Sequence, residues 1–231
     1  MAVPLTALAV IMVHEDYLMS TSILLIRHGE TAWNRAKIFR GRHDIPLNEN
    51  GRAQARLVAA ALESRQIDAA YSSPLSRAME TAKIALQPRP IDVIATAGLT
   101  DIDYGEWTGL EETEVARRWP EEYARWTAEP AMSQPAGGET LQLVFARAYV
   151  ALEEIVRKHE GQTVAIFAHR VVNKALVLAM LGLGVERFPF IRQDNCNVSE
   201  FERTRAGYVA VHLNDTCHIR QGGKNVLAVD F

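Results

Sequence analysis

The chain has 231 residues, 48% hydrophobic and 23% charged, with a formal net charge of -3. That excludes a disordered chain, leaves room for one α/β domain with a sizeable core, and gives no reason to expect nucleic acid or an acidic membrane surface as partner. Its two cysteines, Cys196 and Cys217, form no CxxC or Cys/His cluster, which argues against a disulfide scaffold or structural zinc and for a reducing cytoplasm.

Residues 1–20 read as an N-terminal extension. The apolar stretch Leu5 to Val13 has no Lys or Arg before it and is followed by His14-Glu15-Asp16, unlike a secretory signal. No apolar run reaches the ~20 residues of a membrane span. Residues 21–231 read as a single domain. Ser22 to Ile26 is an apolar, β-rich run and predicts a buried strand that ends in Arg27-His28-Gly29. Gly29 allows a sharp turn and close approach to a ligand. A short helix or loop follows over Ala32 to Phe39, carrying Asn34. The polar loop Arg40-Gly41-Arg42-His43-Asp44 comes next. Asn48 reads as an N-cap, and Arg52 to Arg65 as a helix with Ala55, Val58, Ala61 and Leu62 at helical spacing.

Ile67 to Tyr71 is a second strand. Ser73 and Pro74 then look like the N-cap and first residue of a helix with Arg77 in its first turn. Ile91 to Ile94 is a short strand. Residues 95–138 are the least regular part and read as a loop and helix insertion over the site, with a helix over Glu111 to Trp126. A long helix runs from Gly138-Glu139-Thr140 to His159. Thr163 to Ala168 is a buried strand ending at His169, and Val171 to Leu181 a helix. Asn195 to Glu202 and Tyr208 to Leu213 supply the last strands.

Alternating strand and helix patterns imply a three-layer α/β/α sandwich, with a mainly parallel central sheet and helices on both faces. Strand C-termini share one edge of such a sheet, where ligands bind. Arg27, His28, Arg77 and His169 converge there. Burying that much positive charge without an anion is costly, and a phosphoryl group is the matching counter-charge.

Several stretches carry a resemblance to a known family: LLIRHGETAWN (24–34), GRHDIPLNENGRAQA (41–55), SSPLSRAMETA (72–82), LTDIDYGEWTG (99–109), PAGGET (135–140) and FAHRVVNKAL (167–176). Together they resemble the histidine phosphatase (phosphoglycerate mutase-like) superfamily, over about residues 21 to 213. The resemblance implies that His28 is the nucleophile and becomes a phosphohistidine. It implies that Arg27, Asn34, Arg77 and His169 hold the phosphoryl oxygens, with His169 protonated as a donor. No cofactor or metal is implied, because the Arg/His cluster supplies the charge. The expected partner is a small phosphorylated metabolite, not nucleic acid or a membrane; a homodimer is left open.

The chain departs from the family pattern twice. Where the pattern LxExxxGxWxG places a glutamate as proton donor, this chain has Asp101, one methylene or about 1.5 Å shorter in reach. Asp103 and Glu106 are the competing donors, with Glu106 otherwise a loop tether. After the second histidine, where the family commonly has glycine, stands Arg170, either a solvent-facing helix start or an added substrate-binding cation. Arg40 and Gly41 align with the loop that contacts the rest of the substrate in the mutases; a solvated loop arginine is the alternative. The GEWTG loop resembles the phosphatase branch. A metal-independent phosphomonoesterase is therefore the leading reading, against a cofactor-dependent phosphoglycerate mutase and a non-catalytic phospho-ligand or protein-binding module.

Overall fold

A computed structural model describes residues 20–221. The N-terminal extension, apart from Ser20, and the Gly222-Gly223 tail lie outside them. Six strands form one sheet in the order β3-β2-β4-β1-β5-β6. These are β1 (Thr21–Arg27), β2 (Ala69–Ser72), β3 (Val93–Ala95), β4 (Thr163–Ala168), β5 (Val198–Thr204) and β6 (Gly207–Asp215). The pairings β1 with β4, β4 with β2, and β2 with β3 are parallel; β5 runs antiparallel to both β1 and β6.

Strand alternation divides the core in two. In β1, Ile23 and Leu25 face one layer while Leu24 and Ile26 face the other. The first layer is closed by α6 (Leu141–Lys158) and α7 (Arg170–Met180), whose buried stripes pack together. The second is closed by α2 (Glu49–Ala61), α3 (Ser76–Ala85) and α8 (Cys217–Gln221). A short α1 (Ala32–Arg35) follows the first strand, and α4 (Glu112–Arg118) and α5 (Pro120–Ala128) sit within 95–138. That stretch packs Leu99, Ile102, Tyr104, Trp107 and Trp126 into the α6/α7 core. Among the described residues, no helix is long and apolar enough to cross a membrane.

Three local expectations change. The helix expected over Glu111 to Trp126 is two helices, because Pro120 holds Trp119 at φ -129, ψ 63, outside the helical region. The helix after Asn48 starts at Glu49, where the Asn48 side chain accepts from Gly51 N at 2.8 Å, and ends at Ala61. Helix α3 begins at Ser76, so Ser73 is not its N-cap. The cysteines are free thiols, Cys196 buried and Cys217 exposed.

Gly29 lies outside the left-handed region, so its turn does not explain it. Close packing does. A Cβ on Gly29 would stand 2.5 Å from Gly51 O, and one on Gly51 would stand 2.1 Å from Glu30 O. The backbone after β1 is thus pressed against the first turn of α2. Gly51→Ala is expected to destabilise the fold by about 1–3 kcal/mol, measured as a lower denaturant midpoint with unchanged m-value.

Candidate active site

Arg27 pairs with Ala168 across the parallel strands β1 and β4. The next residues, His28 and His169, therefore leave the sheet side by side, their ring centroids 5.2 Å apart and both fully buried. His28 Nδ1 donates to Gly29 O at 2.7 Å. That places the proton on Nδ1 and the lone pair on Nε2, a buried atom with no hydrogen-bond partner among the described residues. Burial, followed by the charges of Arg77, His169, Arg27 and Arg40, holds the pKa of His28 well below 6.5. The ring is neutral and its nucleophilic nitrogen is available.

His169 Nε2 meets Ser73 Oγ at 2.7 Å. Ser73 Oγ also accepts from Leu75 N at 3.3 Å. The serine expected to cap α3 thus bonds a ring nitrogen of His169 as well. Burial and then Arg77, Arg40, Arg27 and Arg147 push the His169 pKa well below 6.5. That shift favours the neutral ring, against the protonated donor expected from the sequence. Its Nδ1 is buried and has no hydrogen-bond partner among the described residues.

Arg77, the second residue of α3, is fully buried. It donates to His43 O at 2.8 Å, Gly41 O at 2.9 Å and Asp101 Oδ2 at 3.0 Å, while its Nε has no partner among the described residues. Burial lowers its pKa and Asp101 opposes that, but a guanidinium keeps its charge. Arg27, also buried, donates to Gln193 O at 2.8 Å. Asn34 Oδ1 accepts from Thr31 N and Thr31 Oγ1, both at 2.9 Å, closing a capping box that fixes the turn after Gly29.

Asp101, 5% exposed, reaches this group despite its shorter side chain. Its Oδ2 lies 3.0 Å from Arg77 and 3.6 Å from His169 Nδ1, and its Oδ1 accepts from Ile102 N at 3.0 Å. The competing carboxylates point elsewhere. Glu106 is exposed, and Asp103 accepts from Gly105 N and faces Arg42. Arg40 is buried, not solvated, and its charge bears on both histidines. Gly41, at φ +51, is packed against Ile102 O and Thr108 Oγ1 and turns its carbonyl to Arg77. Arg170 does not project into bulk water: it is half-buried, bonds the hydroxyl of buried Tyr104, and lines a lateral cavity. His43 is exposed and contributes only its carbonyl to Arg77. Trp107 lies in the core, against Phe39 and Trp126.

Three supporting groups have no counterpart in the sequence reading. Gln193 supplies its carbonyl to Arg27, and Asn195 Nδ2 donates to His28 O at 2.9 Å. The polar run 193–197 before β5 was the available signal. The third is Arg147 on α6. It donates to Gly98 O (2.9 Å), Thr100 O (2.6 Å) and Asp101 O (3.1 Å), and is forked to Glu139 (3.1 and 3.0 Å). Glu139 in turn accepts from Asp103 N at 3.0 Å. Arg147 and Glu139 therefore clamp the backbone on both sides of Asp101. Arg147→Met is expected to cost about 2–4 kcal/mol of stability, read from the unfolding midpoint, because it strands three carbonyls and leaves Glu139 with Arg42 as its remaining cation among the described residues.

Comparison with known proteins agrees with this geometry. The model of the histidine phosphatase superfamily (branch 1) matches residues 23–216. Phosphoserine phosphatase 1 of Hydrogenobacter thermophilus is 35% identical over 197 residues, covering 85% of this chain and 93% of that protein. The structure of Bacillus stearothermophilus YhfR superposes with a TM-score of 0.83 at 32% identity, over 86% of this chain and 99% of the other. A mycobacterial glucosyl-3-phosphoglycerate phosphatase in complex with VO3 gives 0.78 at 26% identity, over 84% and 99%. A buried histidine pair ringed by arginines at the end of two parallel strands, in a sequence matched across nearly all its described length, places this chain in the histidine phosphatase superfamily, branch 1.

Proposed function

We propose that the protein hydrolyses small phosphomonoesters without a metal, through a phosphohistidine on His28. The observation that carries this reading is His28 itself: Nδ1 is tied to Gly29 O, and Nε2, buried near cationic side chains, has no hydrogen-bond partner among the described residues. In the first step Nε2 attacks phosphorus and the ester P–O bond breaks. Asp101 gives a proton to the leaving oxygen. In the second step water attacks the phosphohistidine, the P–N bond breaks, Asp101 takes the water's proton, and phosphate leaves. Arg27, Arg77, Asn34 and His169 hold the phosphoryl oxygens, the positioning and charge stabilisation that phosphoryl transfer chiefly needs.

Arg40 narrows the substrate. Its buried charge beside both histidines suits a second anionic group near the phosphate. The substrates in the names of two relatives, phosphoserine and glucosyl-3-phosphoglycerate, both carry a carboxylate. The test is a panel of phosphomonoesters with and without a carboxylate, assayed with and without EDTA. The expected result is phosphate release that EDTA leaves unchanged and that favours carboxylated esters. No release from any ester rejects the hydrolase, and loss of activity in EDTA rejects the metal-free route.

The two fully buried histidines set a pH dependence of stability, to which partly buried His218, also depressed by burial, adds. Between the unfolded-state value near 6.5 and their lower folded values, the unfolded chain binds protons that the native chain does not. Stability therefore rises with pH across that window and is lost as pH falls below about 6.5, by roughly 1 kcal/mol per pH unit for each fully buried ring. Denaturant unfolding of the phosphate-free protein at a series of pH values should show this slope. His28→Asn should remove one fully buried ring's share of it.

A further inference from the structure

A cavity of about 310 Å³ lies along the first turns of α7, the helix that follows His169. That volume falls near the lower end of the range for small-molecule sites, about 300–1,000 Å³. Arg170 and Lys174, four residues apart on one face of α7, both line it. Tyr123, Trp126 and Phe188 form aromatic walls, and Glu112 is its acidic residue.

The Glu112 carboxylate accepts a hydrogen bond from the Tyr123 hydroxyl, so it is engaged within the wall. Lys174 is in a different position. Among the described residues its ammonium makes one long hydrogen bond, 3.3 Å to Phe188 O, and sits 4.4 Å from the centre of the Phe188 ring. No carboxylate of the described residues pairs with it. Burial, followed by the charges of Arg170 and Arg27, brings its pKa from 10.5 to about 7. An ammonium sheltered from water beside a guanidinium is a cost to the fold, which a cation–π contact only partly offsets. An anion arriving in the cavity would remove that cost.

We propose that this cavity is a second ligand site, separate from the phosphoryl pocket, for an organic monoanion. A carboxylate would meet Lys174 and Arg170, and an aromatic or branched apolar body would lie against Trp126, Tyr123 and Phe188. Glu112 in the wall disfavours a dianion, so a second phosphate monoester is the wrong ligand. Arg170 bonds the Tyr104 hydroxyl, and buried Tyr104 meets Trp126 edge-on at 5.6 Å and lies within the field of Asp101.

The experiment is an NMR titration of the full chain with phenylacetate, with 2-phenylethanol as the uncharged control, in the presence and absence of saturating inorganic phosphate. The expected result is saturable shifts at residues 123–127, 170–174 and 188. Phosphate should leave the midpoint unchanged, and the alcohol should bind at least about tenfold more weakly. Lys174→Met should abolish phenylacetate binding and raise Tm, because a sheltered charge without a counter-ion has been replaced by an apolar chain of similar length. Displacement of phenylacetate by phosphate would make the cavity an arm of the phosphoryl pocket and overturn its separateness. Equal binding of the alcohol, or unchanged phenylacetate binding in Lys174→Met, would overturn the carboxylate site. A fall in Tm in that variant would show that Lys174 serves the fold. None of these readouts uses turnover, so a failed hydrolase assay would leave the proposal standing.

Discussion

His28→Asn lowers kcat/KM by about 10⁴-fold or more for every phosphomonoester the enzyme accepts, and leaves binding of inorganic phosphate within about tenfold of the parent. The two halves of this expectation come from different atoms. Asparagine keeps a side-chain N–H that can reach Gly29 O, as His28 Nδ1 does at 2.7 Å, so the turn after β1 is preserved. It has no counterpart of the Nε2 lone pair, so no covalent intermediate forms. Arg27, Arg77 and His169 stay in place to hold an anion. Steady-state kinetics with an aryl phosphate and a phosphate-binding titration check both halves. A variant that lost phosphate binding in the same proportion would show that His28 acts as a structural part of the pocket.

Asp101→Asn is the second large effect, and it depends on the leaving group. An amide retains the bonds to Arg77 and Ile102 N only in part, and carries no transferable acidic proton. Esters of alkyl alcohols, whose leaving oxygen needs protonation, are expected to lose about 10²–10⁴-fold in kcat. Activated aryl phosphates, which leave without a proton, should lose far less. Measured across a series of leaving groups, the plot of log kcat against leaving-group pKa becomes steeper in the variant. Parallel lines for parent and variant would remove Asp101 as the donor. Arg147→Met should steepen the same plot more weakly, since it loosens the backbone that carries Asp101 and leaves the carboxyl itself.

The convergence of Arg27, His28, Arg77 and His169 was legible because it is written in local chemistry. Two apolar β-runs end in Arg27-His28 and in His169, and a parallel sheet puts such ends together whatever lies between them. Arg77 was legible from its place near the start of a helix on the same edge. The reading failed where a polar residue had two local uses. Ser73 before Pro74 has the pattern of an N-cap, yet a fully buried imidazole needed its hydroxyl more than the helix did. Glu106 suited a loop tether by position, but is exposed, while the tethering is done by Glu139 and Arg147. Arg147 could not be singled out at all. On α6 it is one polar residue among several off the buried stripe, and its role exists only because residues 98–101 fold back against that helix. Gln193 and Asn195 are hidden for the same reason: they act through a loop brought to β1 by the antiparallel β5. In the loop after the insertion start, shortening Glu to Asp raised the question of reach; Asp101 Oδ2 stands 3.0 Å from Arg77, and the leaving-group series above tests whether it serves as donor.

The central claim is that His28 Nε2 is the atom that bonds to phosphorus. It is tested most directly by mixing the enzyme with excess aryl phosphate, quenching in alkaline denaturant within the first turnovers, and locating the phosphoryl group by peptide mass spectrometry and ³¹P NMR. The expected result is a phosphohistidine at His28, substituted on Nε2, absent from His28→Asn and formed equally well in EDTA. Phosphate on His169, substitution on Nδ1, or steady hydrolysis with no phosphoenzyme at any quench time would contradict it.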